Sequence, residues 1–189
     1  MLNLIVIAGM PGAGKSIISA AARDLGLPVY NMGDVIREET IRIFGRITPE
    51  TMRETSRIVR EKYGKTYVAI KTLERIKEKN GTVVIDGTRS LDEIEVFKKK
   101  GHVVILAIHA SPKTRYKRLL KRGRPGDPSS WEDFVKRDMI ELGFGLGNVI
   151  ALADYMIVNE STIDYAYSEA RKIIRSIMGC GNVQSKGQD

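Results

Sequence analysis

The chain has 189 residues, 42% of them hydrophobic and 29% charged, which suits one soluble α/β domain with a core of its own. No apolar run approaches the ~20 residues that cross a bilayer, no signal-peptide pattern precedes the first apolar strand, and a lone cysteine, Cys180, excludes an intrachain disulfide framework or a cysteine-built zinc site; a cytoplasmic location is the expectation. The net charge of +8 asks for anionic partners, either a polyanionic nucleotide or RNA, and the cations are densest from Lys113 to Arg124.

Residues 2–8 are continuously apolar and predict a strand buried on both faces. A helix follows from about Gly14 to Leu25, and Gly26-Leu27-Pro28 breaks it before a short strand at Val29–Met32. Gly33-Asp34 opens a helix to Phe44 with Asp34 at or near its N-cap. Thr48-Pro49 starts another, which Gly64 stops, and a third runs from Thr66 to Glu78. Thr82–Ile85 is a strand that delivers Asp86-Gly87, and Ser90 with Glu93 forms a capping box for a helix to Lys100. His102–His109 is the fourth strand, and Ser111-Pro112 begins a helix to Arg122. Two glycines and two prolines forbid regular structure at 123–128. After Ser130, Trp131, Phe134, Val135, Met139 and Leu142 make a stripe expected to face the core, and Gly143–Gly147 reads as a flexible joint. Asp154–Val158 is the fifth strand, a helix of clear 3.6-residue period follows, and 179–189 read as a flexible tail.

This alternation predicts a parallel sheet between two layers of helices. One crossover is too long: residues 31–80 are all helical in pattern, where a dozen residues would do, and they read as a clamp for a second ligand. The helix from Thr48 to Tyr63 is mostly polar and carries Arg53, Arg57 and Arg60.

The chemistry starts at Gly9-Met10-Pro11-Gly12-Ala13-Gly14-Lys15-Ser16, which fits G-x-x-x-x-G-K-[ST] between a strand and a helix. Its glycines let backbone N–H groups curl inward on phosphate, with the N-terminus of the next helix adding positive potential. Lys15 reaches the β- and γ-phosphates of a nucleotide, and the Ser16 hydroxyl suits Mg²⁺. Gly9, Pro11, Gly12, Ala13, Gly14, Lys15, Ser16 and Ile17 therefore form the expected ATP contact. Asp86, at the carboxyl edge of the sheet, is the second candidate for holding the metal, and Gly87 allows a sharp turn beside the phosphates. Arg115, Arg118 and Arg122 share one helix face. His102 and His109 have no spacing that suggests a metal site.

With the loop, Gly33-Asp34…Arg37, Asp86-Gly87…Arg89 and an arginine-rich stretch at 115–140, the chain resembles the nucleoside monophosphate kinase branch of the P-loop proteins. Within it, the chain is most similar to the archaeal adenylate-kinase-related, dephospho-CoA-kinase-like proteins. The resemblance implies a three-layer P-loop fold over residues 1–178, with a five-stranded parallel sheet of order 2-3-1-4-5. It implies a helical acceptor-binding insertion at 31–80 and a short lid at 115–140. By the same resemblance Lys15, Asp86, Arg118, Arg122 and Arg124 serve phosphoryl transfer, and Asn159 lies where the adenine is held. Gly33, Asp34, Arg37, Arg57, Gly87, Arg89 and Arg137 serve the acceptor. The implied activity moves the γ-phosphate of Mg·ATP to AMP or another adenosine-containing molecule such as dephospho-CoA. A nucleotide-binding switch with slow ATPase activity, acting on protein or RNA, is the other reading, and monomer and dimer are both open.

Overall fold

The computed structural model describes residues 2–183. The elements run β1 (Leu2–Ala8), α1 (Lys15–Asp24), β2 (Val29–Asn31), α2 (Met32–Phe44), α3 (Pro49–Tyr63), α4 (Tyr67–Arg75) and β3 (Gly81–Asp86). There follow α5 (Leu91–Lys98), β4 (His102–His109), α6 (Pro112–Arg122), α7 (Trp131–Gly143), α8 (Leu146–Ala151), β5 (Tyr155–Val158) and α9 (Ile163–Val183). The five strands are all parallel in the order β2-β3-β1-β4-β5, as expected.

Strand β1 is central, and its alternating side chains feed two cores. Leu4, Val6 and Ala8 pack with Met32, Val35, Val59, Val68, Phe97 and Val149, so α2–α5 and α8 cover one face. Ile5 and Ile7 pack with Ile18, Ala21, Ala166, Ala170 and Ile174, so α1 and α9 cover the other. The long crossover is three helices, tied together by a buried hydroxyl pair, Thr40 to Thr55 at 3.0 Å, between α2 and α3.

Several local expectations need correction. The N-cap of α2 is Asn31, whose side chain accepts from the Gly33 N–H at 2.7 Å; Asp34 sits in the first turn. Helix α4 ends at Arg75, and 76–80 reach β3 without helix. Ser90 does accept from the Glu93 N–H at 3.3 Å, but the Glu93 carboxylate takes the Arg89 N–H at 2.8 Å, so the box closes one residue early. The stretch after α7 is not simply a joint, since α8 forms there and buries Leu146 and Val149. Of the stripe on α7 only Phe134 is buried; Trp131, Val135, Met139 and Leu142 are exposed. Helix α9 continues past the expected end at Met178 to Val183, while 184–189 lie outside the described residues.

Candidate active site

The glycines of the phosphate loop are required by their neighbours as much as by their turns. A Cβ on Gly9 would lie 2.7 Å from the Ile108 carbonyl oxygen at the end of β4, and one on Gly12 2.9 Å from the Arg115 carbonyl oxygen of α6. Gly12 and Gly14 adopt φ of 80° and 109°, which side chains disfavour. Against Gly14 lies the Asn159 amide, which donates to the Ala13 carbonyl at 2.8 Å. Asn159 is fully buried, so this side chain braces the loop from the end of β5.

Lys15, the first residue of α1, turns its ammonium back to the Gly9 carbonyl at 2.6 Å. Burial lowers its pKa; Asp86 and Glu141 pull the other way, and Arg89 and Arg137 add to the lowering. These groups from β3, α7 and the loop after β3 therefore share one electrostatic neighbourhood with the loop lysine. Ser16 is exposed at the mouth of the loop. Asp86 accepts from the Ser19 hydroxyl at 3.1 Å, a contact one turn beyond Ser16 on the same helix face. Ser16 and Asp86 together offer a hydroxyl and a carboxylate oxygen, a donor set that fits Mg²⁺ when water and phosphate oxygens complete it.

Across from the loop, Gly87, with φ of 109°, abuts the start of α2: a Cβ there would lie 3.4 Å from Met32 Cβ and 4.0 Å from the Gly33 nitrogen. Beside this glycine pair, Arg37 is ion-paired with Asp34, and both side chains are about half exposed. Arg89 is not paired with Asp92 or Glu93 through its side chain; its Nε meets Glu141 of α7 at 3.0 Å.

Arg89 and Arg60 both lie over the Phe144 ring, at 5.5 and 5.2 Å from its centroid. Arg60 is half-buried beside the buried Glu93, 3.7 Å away. Burial pushes the Glu93 pKa up, and the Arg89 backbone N–H and Arg60 oppose that push. Arg57, the expected acceptor ligand, is turned out to solvent, where it pairs with Glu54 and Glu61 of its own helix. Arg60, three residues on, reaches Glu93 of α5 and the Phe144 ring instead.

The arginines at 115–140 have separate tasks. Arg115 is buried, holds Asp138 of α7 through two bonds of 2.9 and 2.6 Å, and donates to the carbonyls of Ala110 and Pro11. It stacks on Phe134 at 4.9 Å and ties α6, α7 and the phosphate loop into one unit. Arg118 donates to the Asn159 carbonyl at 3.0 Å, and its other terminal nitrogen is buried without a partner among the described residues. Such an orphaned donor, beside the phosphate loop, suits an acceptor atom from a ligand. Asp127 gathers the next group: it accepts from Arg122 at 2.8 Å, from the Arg124 N–H at 3.0 Å and from Arg137 at 3.2 Å. Arg122 chiefly holds the Asp127 carboxyl down, to a pKa of about 2. The Arg124 side chain is exposed. The 123–128 loop also touches the insertion, since a Cβ on Gly126 would lie 3.1 Å from Pro49 Cβ at the start of α3.

Sequence reasoning brought Lys15, Ser16, Asp86, Gly87, Gly33, Arg89 and Arg137 to the same edge. It missed Ser19, Arg60, Glu93, Asp127, Glu141 and Phe144 as members of the site. Glu141 could have been suspected from its position on α7 one turn after Arg137; Glu93 was legible only as a capping-box residue and Arg60 only as one cation of a polar helix, and Ser19, Asp127 and Phe144 carry no motif.

Residues 8–135 match the AAA domain family. The chain is similar to a UPF0200 protein from Staphylothermus marinus, 69% identical over 177 residues covering 94% of each chain. It is 51% identical over 179 residues to a UPF0200 protein from Hyperthermus butylicus, covering 94% of this chain and 96% of that one. In structure it is similar to TT1252 from Thermus thermophilus, with a TM-score of 0.61 at 19% identity over 92% of this chain and 96% of that one. A shikimate kinase from Acinetobacter baumannii in complex with shikimate gives a TM-score of 0.55 at 18% identity, over 98% and 95% of the two chains. For a gluconokinase from Sinorhizobium meliloti the figures are 0.57 and 16%, over 97% of each. At such identities these three share the fold.

Proposed function

The chain belongs to the UPF0200 family and carries an AAA domain, and from that premise we propose that it is an ATP-dependent phosphotransferase acting on a small, phosphate-bearing acceptor. The observation that carries this reading is the convergence of Lys15 and Asp86 with Arg89, Arg137 and Glu141 at one end of the sheet. A phosphate loop alone binds a nucleotide; a second set of guanidiniums facing it is what a transfer between two phosphates needs. The fold neighbours named for shikimate and gluconate support a small-molecule acceptor. AMP is the first candidate, and dephospho-CoA the next.

In this reading the loop N–H groups and Lys15 hold the donor's β- and γ-phosphates, with Lys15 released from the Gly9 carbonyl. Ser16 and Asp86 would hold Mg²⁺, which would supply charge neutralisation when bound. Arg37, Arg89 and Arg60 grip the acceptor's phosphate, with Glu141, Glu93 and Phe144 fixing the planes of Arg89 and Arg60. With AMP the attacking phosphate oxygen is already ionised at neutral pH and no general base is required; with dephospho-CoA the attacking hydroxyl would pass its proton to Asp34. The bond from γ-phosphorus to the acceptor oxygen forms, the bond to the β-bridging oxygen breaks, and ADP leaves. Arg118, Arg122, Arg124 and Arg137 spread the charge of the transferring group, and each such donor is worth ~2.7–4 kcal/mol of barrier.

The test is ADP production by purified protein with Mg·ATP across nucleoside monophosphates, dephospho-CoA, shikimate and gluconate, against Lys15→Ala. Activity with a phosphate-bearing acceptor, absent in the variant, is the expected result. Turnover only with the unphosphorylated acceptors would move the acceptor class, and no acceptor-dependent turnover would sink the reading.

A further inference from the structure

We propose that the outer face of α6, with Trp131 beside it, is a binding surface for single-stranded nucleic acid, independent of the phosphotransfer site. Helix α6 sorts its cations by chemistry. Arg115 and Arg118 turn inward, Arg122 is exposed, and the three are held by Asp138, Asn159 and Asp127. Lys113, Lys117 and Lys121 are exposed on the other side and form no ion pair among the described residues.

Among the described residues, unpaired exposed bases on α1, α3 and α7 stand one to a helix, as Arg23, Lys62 and Lys136 do. Many other exposed bases have an acid three residues away: Arg42 with Glu39, Arg53 with Glu50, Lys71 with Glu74, Lys98 with Glu95, Lys172 with Glu169. Residues 112–122 contain no acid at all. Glu160, near the start of α6, is engaged by Ser111 and Thr114. Like charges four apart destabilise a helix, so the row of three carries a folding cost. Four helical residues rise about 6 Å, a spacing close to that of successive phosphates along an extended strand.

The aromatic partner is on the adjoining helix. Trp131 stands edge-on to Tyr116 of α6 at 5.3 Å and leans on Phe134 at 5.1 Å, which fixes the ring. It nevertheless stays 41% exposed. A fixed, open indole beside a lysine row is the pairing that binds bases by stacking and the backbone by charge. Two exposed acids, Glu132 and Asp133, follow Trp131 on α7, and Asp133 is occupied by Ser129. An anionic membrane fits less well, because α7 itself carries more acids than bases.

Trp131 is the one tryptophan of the chain, so its fluorescence reports directly on this surface. The probes are a twelve-nucleotide oligo(U), an oligo(dT) of equal length, and polyglutamate of matched charge, titrated between about 50 and 300 mM salt. Quenching by an oligonucleotide but not by polyglutamate is expected, and the tighter of the two names RNA or DNA. Replacing Lys113, Lys117 and Lys121 together by Gln should lower the slope of log affinity on log salt by about 2, at ~0.7 per contact. Trp131→Leu, followed by anisotropy of a labelled oligonucleotide, should cost about tenfold in affinity. An unchanged slope in the triple variant overturns the proposal, as does the absence of oligonucleotide binding. Equal quenching by polyglutamate also overturns it, in favour of an acidic protein partner.

Discussion

Three residues on α3 separate two arginines with opposite fates. Arg57 sits in an exposed cluster with Glu54 and Glu61, so Arg57→Ala should leave both thermal stability and acceptor affinity unchanged. Arg60→Ala leaves the buried Glu93 facing an empty place, and a loss of about 3 kcal/mol in thermal unfolding is expected. At permissive temperature the same variant should raise the acceptor KM by tenfold or more with little effect on the KM for ATP. Arg115→Lys should cost a similar ~3 kcal/mol, because one ammonium cannot replace a fork that reaches Asp138, Ala110 and Pro11 together. The phosphate loop was legible because it is contiguous: strand, glycines, lysine and helix follow one another in the chain. Arg60, Glu93, Glu141 and Phe144 come from α3, α5, α7 and the turn after α7, and only folding sets them around one another.

Among the elements, α7 is the one whose sequence pattern and burial disagree. Its apolar stripe satisfies helical periodicity, yet the face turned inward is that of Phe134, Arg137, Asp138 and Glu141. Polar anchoring to Arg115 and Arg89 overrides the stripe, and periodicity cannot foresee an ion pair with a residue 23 positions away. The loop before α7 hangs on Asp127. Asp127→Asn should cost about 2 kcal/mol by removing charge-assisted bonds to Arg122 and Arg137. The wild-type carboxyl is depressed from 3.8 to about 2, so its contribution is complete above pH ~4 and lost as pH falls through about 2. Acid titration of the folded protein, read by amide exchange in residues 122–137, checks the window. Helix α8 was missed because its few residues are interrupted by glycine and carry no cap side chain.

For the molecule as a whole, strand order was readable because apolar runs alternate with helical patterns and right-handed crossovers leave few arrangements. The helical character of 31–80 was readable too; its meeting with a loop some 75 positions later was not, because it depends on Gly126 having no side chain where Pro49 lies. That contact has a kinetic meaning. On the reading that the insertion and the loop at 123–128 are two arms over the nucleotide, a ligand waits for the gap between Pro49 and Gly126 to open, and its apparent affinity is set by the fraction of time the gap is open. Gly126→Ala puts a methyl group into the gap and strains a φ of 85°, which biases the arms apart. Stopped-flow binding of a fluorescent ATP analogue should then show faster association than in the wild type, with dissociation faster as well. Unchanged association would mean that the nucleotide reaches its loop by a route that the two arms do not guard.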